Sequence, residues 1–217
     1  MTSTLQRGSL VAAATLALTL PACSSDDASD SGPSSSSSNS TAASETGAAP
    51  VVDGPFGPAC ATLPADGEGS VAGMVDDPVM TAAASNPFLT GLVAAVTTAH
   101  LGESLNGLQN ITVLAPVDQG FLTLPPGDVP ALLADSPRLT ALLTHHVIQG
   151  RLTPEQLAGT HTTLNNDEVT IEGSGQSFTV DGAGTLTQTV ATVICGNLQT
   201  ANATVYLIDQ VLAPAPQ

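Results

Sequence analysis

Between residues 24 and 50 the chain reads SSDDASDSGPSSSSSNSTAASETGAAP, with 11 Ser among 27 positions. Such a stretch has too little apolar surface to offset the entropy of ordering it, so it cannot join a core. Anything folded must lie downstream of it. From about residue 58 the composition changes to apolar periods punctuated by Pro. Residues 58–217 are enough for one domain with its own core. The sequence therefore divides into 1–22, 23–57 and 58–217.

The first segment, MTSTLQRGSLVAAATLALTLPAC, places Arg7 ahead of an uncharged run from Leu10 to Leu20. That run is too short to span a bilayer and suits a signal-peptide core. It closes on Leu20-Pro21-Ala22-Cys23, which resembles a bacterial lipobox, where the Cys thiol receives a diacylglycerol and becomes the mature N-terminus. Pro21 departs from the small residue usual there, and an ordinary signal peptide with an incidental Cys is the alternative. On the lipobox reading Cys23 is lipidated and residues 23–57 form a tether of roughly 30 Å root-mean-square reach. The expected location is extracytoplasmic, lipid-anchored to the cell membrane or envelope and partly secreted, with the membrane touched only through the lipid.

Charge narrows the chemistry. The chain has three Arg, no Lys and 19 acidic residues, for a net charge of −16. Nucleic-acid binding depends on Lys and Arg neutralising phosphates, so no nucleic-acid partner is expected. Without Lys there is no phosphate-loop lysine, kinase lysine or Schiff-base chemistry. Four Phe, one Tyr and no Trp argue against a stacking platform for bases or sugars. No GxSxG elbow, HExxH or dinucleotide glycine motif occurs, and Gly173-Ser174-Gly175 reads as a turn. Adjacent His145 and His146 on a strand point to opposite faces and do not share a metal. One of them reads as a core His bonded to backbone and the other as a surface His. The carboxylate pairs Asp76-Asp77 and Asp167-Glu168 read as a helix cap and a solvated turn. The expectation is a protein with no enzyme activity, no cofactor and no metal.

With Cys23 acylated, Cys60 and Cys195 remain, bracketing the globular part. Two lone Cys so far apart in an exported chain read as a disulfide, with two buried thiols as the alternative.

Four pairs of a capping residue and Pro are expected to start helices: Asp77-Pro78, Asn86-Pro87, Ser136-Pro137 and Thr153-Pro154. Pro has no amide hydrogen to lose at the first helical position. Phe88, Leu89, Leu92, Val93 and Val96 recur at helical steps after the second pair, and Leu139, Leu142 and Leu143 after the third. Thr153 to Gln156 has the form of a capping box. Residues 111–115 form a short continuous apolar run, as in a buried strand. Residues 168–172 and 176–181 alternate about a Gly-rich turn as a hairpin, and 203–212 is the most strand-like run. Helices gather in the first half and strands in the second, so the class is α+β.

Two segments carry a family resemblance. TVLAPVDQGF, 112–121, resembles the first signature of fasciclin-like (FAS1) domains: an apolar strand, Ala-Pro, a polar turn, then Phe opening a helix. LLTHHVIQGRLT, 142–153, resembles the second, in which a helix runs into an aromatic-His-Val strand. ATVYLIDQVLAP resembles the closing strand. The flanks GPACA and ICGNLQTANATVYLID resemble the branch of secreted antigens and lipoproteins found in mycobacteria and allied bacteria. The resemblance implies a β-wedge with several short helices. It implies structural roles for Pro116, Phe121 and His146. It also implies a non-catalytic module for adhesion or protein and matrix interaction. Val117 replaces the usual Thr or Ser, and His145 replaces the Tyr implicated in integrin contact in animal relatives, which puts integrin-type binding in doubt. Loop positions Asp118, Gln149 and Arg151, with His145, are the candidate contacts for a protein, matrix or glycan partner, and the protein is expected to act as a monomer. The competing expectation is an extracytoplasmic carrier for a small apolar ligand, which requires a sizeable apolar pocket.

Overall fold

A computed structural model describes residues 54–215. The signal-like run, Cys23 and the Ser-rich stretch lie outside the described residues. Seven helices and seven strands run in the order α1 (Val79–Ala84), α2 (Thr90–Thr98), α3 (Gly102–Gly107), β1 (Ile111–Pro116), α4 (Asp118–Leu122), α5 (Asp128–Ala134), α6 (Ser136–His145), β2 (Val147–Gln149), α7 (Pro154–Leu157), β3 (Gly159–Thr162), β4 (Glu168–Ser174), β5 (Ser177–Val180), β6 (Ala191–Gln199) and β7 (Ala203–Ile208). Helices dominate the first part and strands the second, the expected α+β arrangement.

The strands form one sheet in the order β2-β1-β7-β6-β5-β4-β3. Among the described strands only β1 and β7 run parallel, Ile111 opposite Ala203 through Pro116 opposite Ile208. Both are buried along their whole length, and a strand covered on both faces can be apolar at every position. The ends of the sheet curl together: Ile148 of β2 bridges Thr163 beyond β3, and Leu164 N–H donates to the Val147 carbonyl at 2.8 Å.

This curl creates two apolar layers. One face of β1 and β7 (Ile111, Val113, Ala115, Ala203, Val205, Leu207) packs against helical residues such as Leu92, Val96, Leu139 and Leu142. The other face (Leu114, Tyr206, Ile208) meets Val169, Ile171, Phe178 and Val180 inside the wedge. Tyr206 is fully buried and donates its hydroxyl to the Leu152 carbonyl at 3.1 Å. Burial raises its pKa above the ordinary range, and Glu155 adds to the rise.

An N-terminal arm closes the open end of the wedge. Phe56 exchanges backbone hydrogen bonds with Gly196 at 3.1 and 2.8 Å, and its ring lies 5.8 Å from Phe178 and 6.3 Å from Tyr206, centroid to centroid. A Cβ at Gly196 would stand 2.5 Å from the Phe56 ring, so this position requires glycine. Four residues on, Cys60 is disulfide-bonded to Cys195 of β6, with Cα atoms 5.0 Å apart.

Helix starts differ in part from the sequence expectation. Thr153 and Gln156 form the capping box that opens α7. Ser136-Pro137 opens α6, but the cap is Asp135, which accepts from Arg138 N–H. Asn86-Pro87 starts no helix: Asn86 Oδ1 accepts from Phe88 N–H at 3.0 Å in a local turn, and α2 begins at Thr90. Asp77-Pro78 precedes α1 without a local side-chain cap. The Val79 amide there donates instead to Asn202 Oδ1 at 2.8 Å, and Asn202 Nδ2 donates to the Leu105 and Leu108 carbonyls at 2.9 and 2.8 Å. One buried side chain thus ties the start of α1 and the end of α3 to β7.

Candidate interaction surface

The second signature segment places its two His differently from the expectation of one core and one surface ring. Both are buried, each 2% exposed. His146 ends the α6 turn. Its Nδ1–H donates to the Leu142 carbonyl at 2.8 Å and its Nε2 accepts from Leu212 N–H at 3.0 Å. The two bonds define one neutral tautomer. Burial lowers its pKa from 6.5 to about 4; the bond to Leu142 opposes this, and the neighbouring His145 adds to the lowering.

His145 is held by Asp167, its Nδ1–H donating to Oδ1 at 2.7 Å. Asp167 also accepts from the Thr163 hydroxyl, from Asn165 Nδ2 at 2.9 Å and from Ala215 N–H at 3.2 Å. Burial works against its charge, but the hydrogen bonds from Thr163, Asn165 and His145 and the charge of His145 outweigh it. They hold the carboxyl at about 2, below the ordinary 3.8. The solvated-turn reading of Asp167-Glu168 therefore fails for its first member. Asp167 turns inward, while Glu168 stands exposed on β4.

The remaining sequence candidates do not converge. Asp118 opens α4, and its carboxylate accepts from Gly91 N–H at 2.7 Å and the Thr90 hydroxyl at 2.5 Å, capping α2 from a distance. Arg151 donates to Gln199 Oε1 at 3.0 Å and the Thr200 carbonyl at 2.9 Å. Gln149 is exposed beside Ile111, at the opposite end of β1 from Asp118. Those ends lie roughly 17–20 Å apart at strand rise. Pro116 is buried at the end of β1, and Phe121 packs from α4 onto the helical core.

What the fold leaves open is the outer face of β3, β4 and β5. Burial alternates along β4, with Val169 and Ile171 inside and Glu168, Thr170 and Glu172 outside. The register sets Thr162 beside Glu168, Thr160 beside Thr170 and Glu172 beside Thr179, a band of hydroxyls and carboxylates. At its edge lies an open groove of about 910 Å³, lined among others by His145, Glu168, Thr170 and Asp181. Sequence reasoning missed this surface because it is built from register rather than from any motif. A second, apolar cavity lies under α1 and α2 beside Met74, Leu89 and Leu92, with a volume of about 20 Å³, room for one water.

The Fasciclin domain profile matches residues 87–214, more than half of the chain. The chain belongs to the fasciclin (FAS1) family. Its FAS1 region is 41% identical over 156 residues to the cell surface glycolipoprotein MPB83 of Mycobacterium bovis, covering 70% of this chain and 67% of that one. It is 42% identical over 166 residues to the immunogenic protein MPT70 of Mycobacterium tuberculosis, covering 73% and 81%. A FAS1 domain pair from the insect cell adhesion molecule fasciclin I superposes with a TM-score of 0.52 at 16% identity. That match covers 67% of this chain and about half, 52%, of the pair, and shows the shared fold.

Proposed function

We propose that the protein is an extracytoplasmic, lipid-anchored FAS1 module that binds a macromolecular partner and turns nothing over. The observation carrying this reading is the polar outer face of β3, β4 and β5. It is the broad sheet surface that the helical layer does not cover, and its side chains are not needed for either core. The reactive-looking groups nearby have structural work: Asp167 holds His145, and His146 bridges Leu142 and Leu212. The names of the relatives, a cell surface glycolipoprotein and an immunogenic protein, agree with a location outside the cytoplasm. The carrier alternative draws nothing from the enclosed apolar cavity of about 20 Å³, far smaller than the several hundred Å³ that small-molecule ligands occupy; the depressions of ligand size, about 910 and 330 Å³, are open grooves.

Two measurements test this. Replacing Cys23 with Ala is expected to move the protein from the membrane fraction to the medium; retention in the detergent phase at the parent level contradicts the anchor. Surfaces coated with the protein are expected to retain matrix, glycan or envelope fractions more strongly than albumin. The excess is expected to fall severalfold on Glu172→Lys, an exposed change on the open face. Coated surfaces no stickier than albumin across all three fractions overturn the binding-module reading.

A further inference from the structure

β4 outlasts its neighbour. Its residues Ile171 to Ser174 pair with β5, but β5 ends at Val180 and the chain turns off through the 3-10 turn Gly182–Gly184. Glu168, Val169 and Thr170 therefore have β3 on one side and no paired strand on the other, among the described residues. The gap is the groove of about 910 Å³. Its far wall is a small paired unit, Thr185 bridging Leu212 and Ala213 N–H donating to the Gly184 carbonyl at 2.9 Å.

Three chemical features mark this gap. His145 lines it with 3% of its side chain exposed, and its Nδ1 is already taken by Asp167. Its Nε2 has no partner among the described residues, and in the neutral ring that atom is an acceptor. The carboxylates of Glu168 and Asp181 flank the same space, and no Arg lines it. Asp181 Oδ1 accepts from Ala183 N–H at 2.8 Å, which fixes that carboxylate at the rim. The charged and accepting groups thus ask for N–H donors carrying positive charge, while Val169, Val180 and Leu186 supply apolar walls.

We propose that this groove takes an extended basic peptide segment of a partner protein, laid as an added strand along Glu168–Thr170 with a Lys or Arg side chain reaching His145 Nε2 and the two rim carboxylates. Strand addition supplies main-chain hydrogen bonds, and pockets for alternate side chains supply selectivity. Three residues of open strand, about 10 Å at strand rise, accommodate one such side chain and its flanking apolar neighbours. The proposal rests on the binding-module reading and names its partner class.

The test uses the full chain and two fluorescein-labelled probes, acetyl-(Val-Lys)3-amide and acetyl-(Val-Glu)3-amide, with fluorescence anisotropy as the readout. The basic peptide is expected to bind saturably and at least tenfold more tightly than the acidic one. Glu168→Lys, an exposed change, is expected to weaken it about tenfold, whereas Glu103→Lys makes the same charge change on α3 and leaves it unaltered. His145→Asn, whose Nδ2 can keep the donation to Asp167 while the Nε2 position is lost, is expected to weaken it about fivefold; if that variant does not fold, the Glu168 and Glu103 pair decides alone. Alternate N-methylation of the peptide is expected to abolish binding. Equal binding of both peptides, equal effects of the two Lys variants, or displacement by lysinamide at the same concentration as by the peptide overturns the proposal. If coated surfaces still adhere while the basic peptide fails to bind, the groove assignment falls and the binding-module reading stands.

Discussion

Replacing Cys60 and Cys195 together with Ala is expected to lower the unfolding free energy by about 4–5 kcal/mol in the chain-entropy model. The magnitude comes from the loop: 135 residues separate the two positions, nearly the whole folded region. Set against the roughly 5–15 kcal/mol that holds a typical domain together, this is a large share. Its structural consequence is local before it is global. Without the bond, the arm from Gly54 to Leu63 stays attached through the Phe56–Gly196 pairing, the Phe56 ring and the packing of Ala59 and Leu63 on the helical core. Hydrogen exchange of the double variant should therefore show Phe56 and Cys60-adjacent amides losing protection ahead of β1 and β7. Urea unfolding with a midpoint unchanged from the parent would contradict the assigned role of the bond.

The sequence was most legible where a residue's partner lies close along the chain. The Thr153 and Gln156 capping box spans three residues and is found as expected. The β4–β5 hairpin is found because alternation is a local signal, but its turn is Gly175-Gln176 and not Gly173-Ser174-Gly175, since Gly173 and Ser174 still pair with Phe178 and Ser177. Legibility fails where the partner is distant. The start of α1 is capped by Asn202, 123 residues away, and α2 by Asp118, 27 residues from Gly91. An acidic residue after Ala-Pro therefore reads as a free loop carboxylate until the fold brings Gly91 to it. Asn86-Pro87 fails for a related reason, since the Asn oxygen is satisfied within its own turn and the helix waits for Thr90.

The same distinction separates the two His. The environment of His146 could be anticipated from the apolar helix before it and Val147-Ile148 after it. That of His145 could not, because its carboxylate partner lies 22 residues further on, in the turn between β3 and β4. Nothing local to Asp167 signals this role. Its neighbours Asn165 and Asn166 read simply as turn residues, and Asn166 does take the left-handed conformation such a turn uses, at φ 60°. The groove was hidden for a third reason. It exists because β5 ends before β4 does, and strand ends are among the least readable features of a sequence.

The buried His146 also predicts a pH dependence. The folded protein keeps this ring neutral down to about pH 4, whereas an unfolded chain protonates it near 6.5. Between these values the unfolded state binds more protons, so stability falls as the pH falls through this window and is fully present above it. The whole interval corresponds to about 3 kcal/mol. Asp167 acts lower down: its contribution is present above 3.8 and is lost as the pH falls toward about 2. Urea unfolding between pH 7.5 and 4.5 therefore isolates the His146 effect from the Asp167 effect. His146→Gln is expected to cost about 2–4 kcal/mol at pH 7.5, because the Leu142 carbonyl and the Leu212 amide lose a well-placed partner in the core. The same variant should flatten the dependence between pH 6.5 and 4.5, since the ring whose protonation opposes folding is gone. A parent protein equally stable at pH 7.5 and 4.5, or a variant that keeps the parent slope, would show that this ring is not held neutral by the fold.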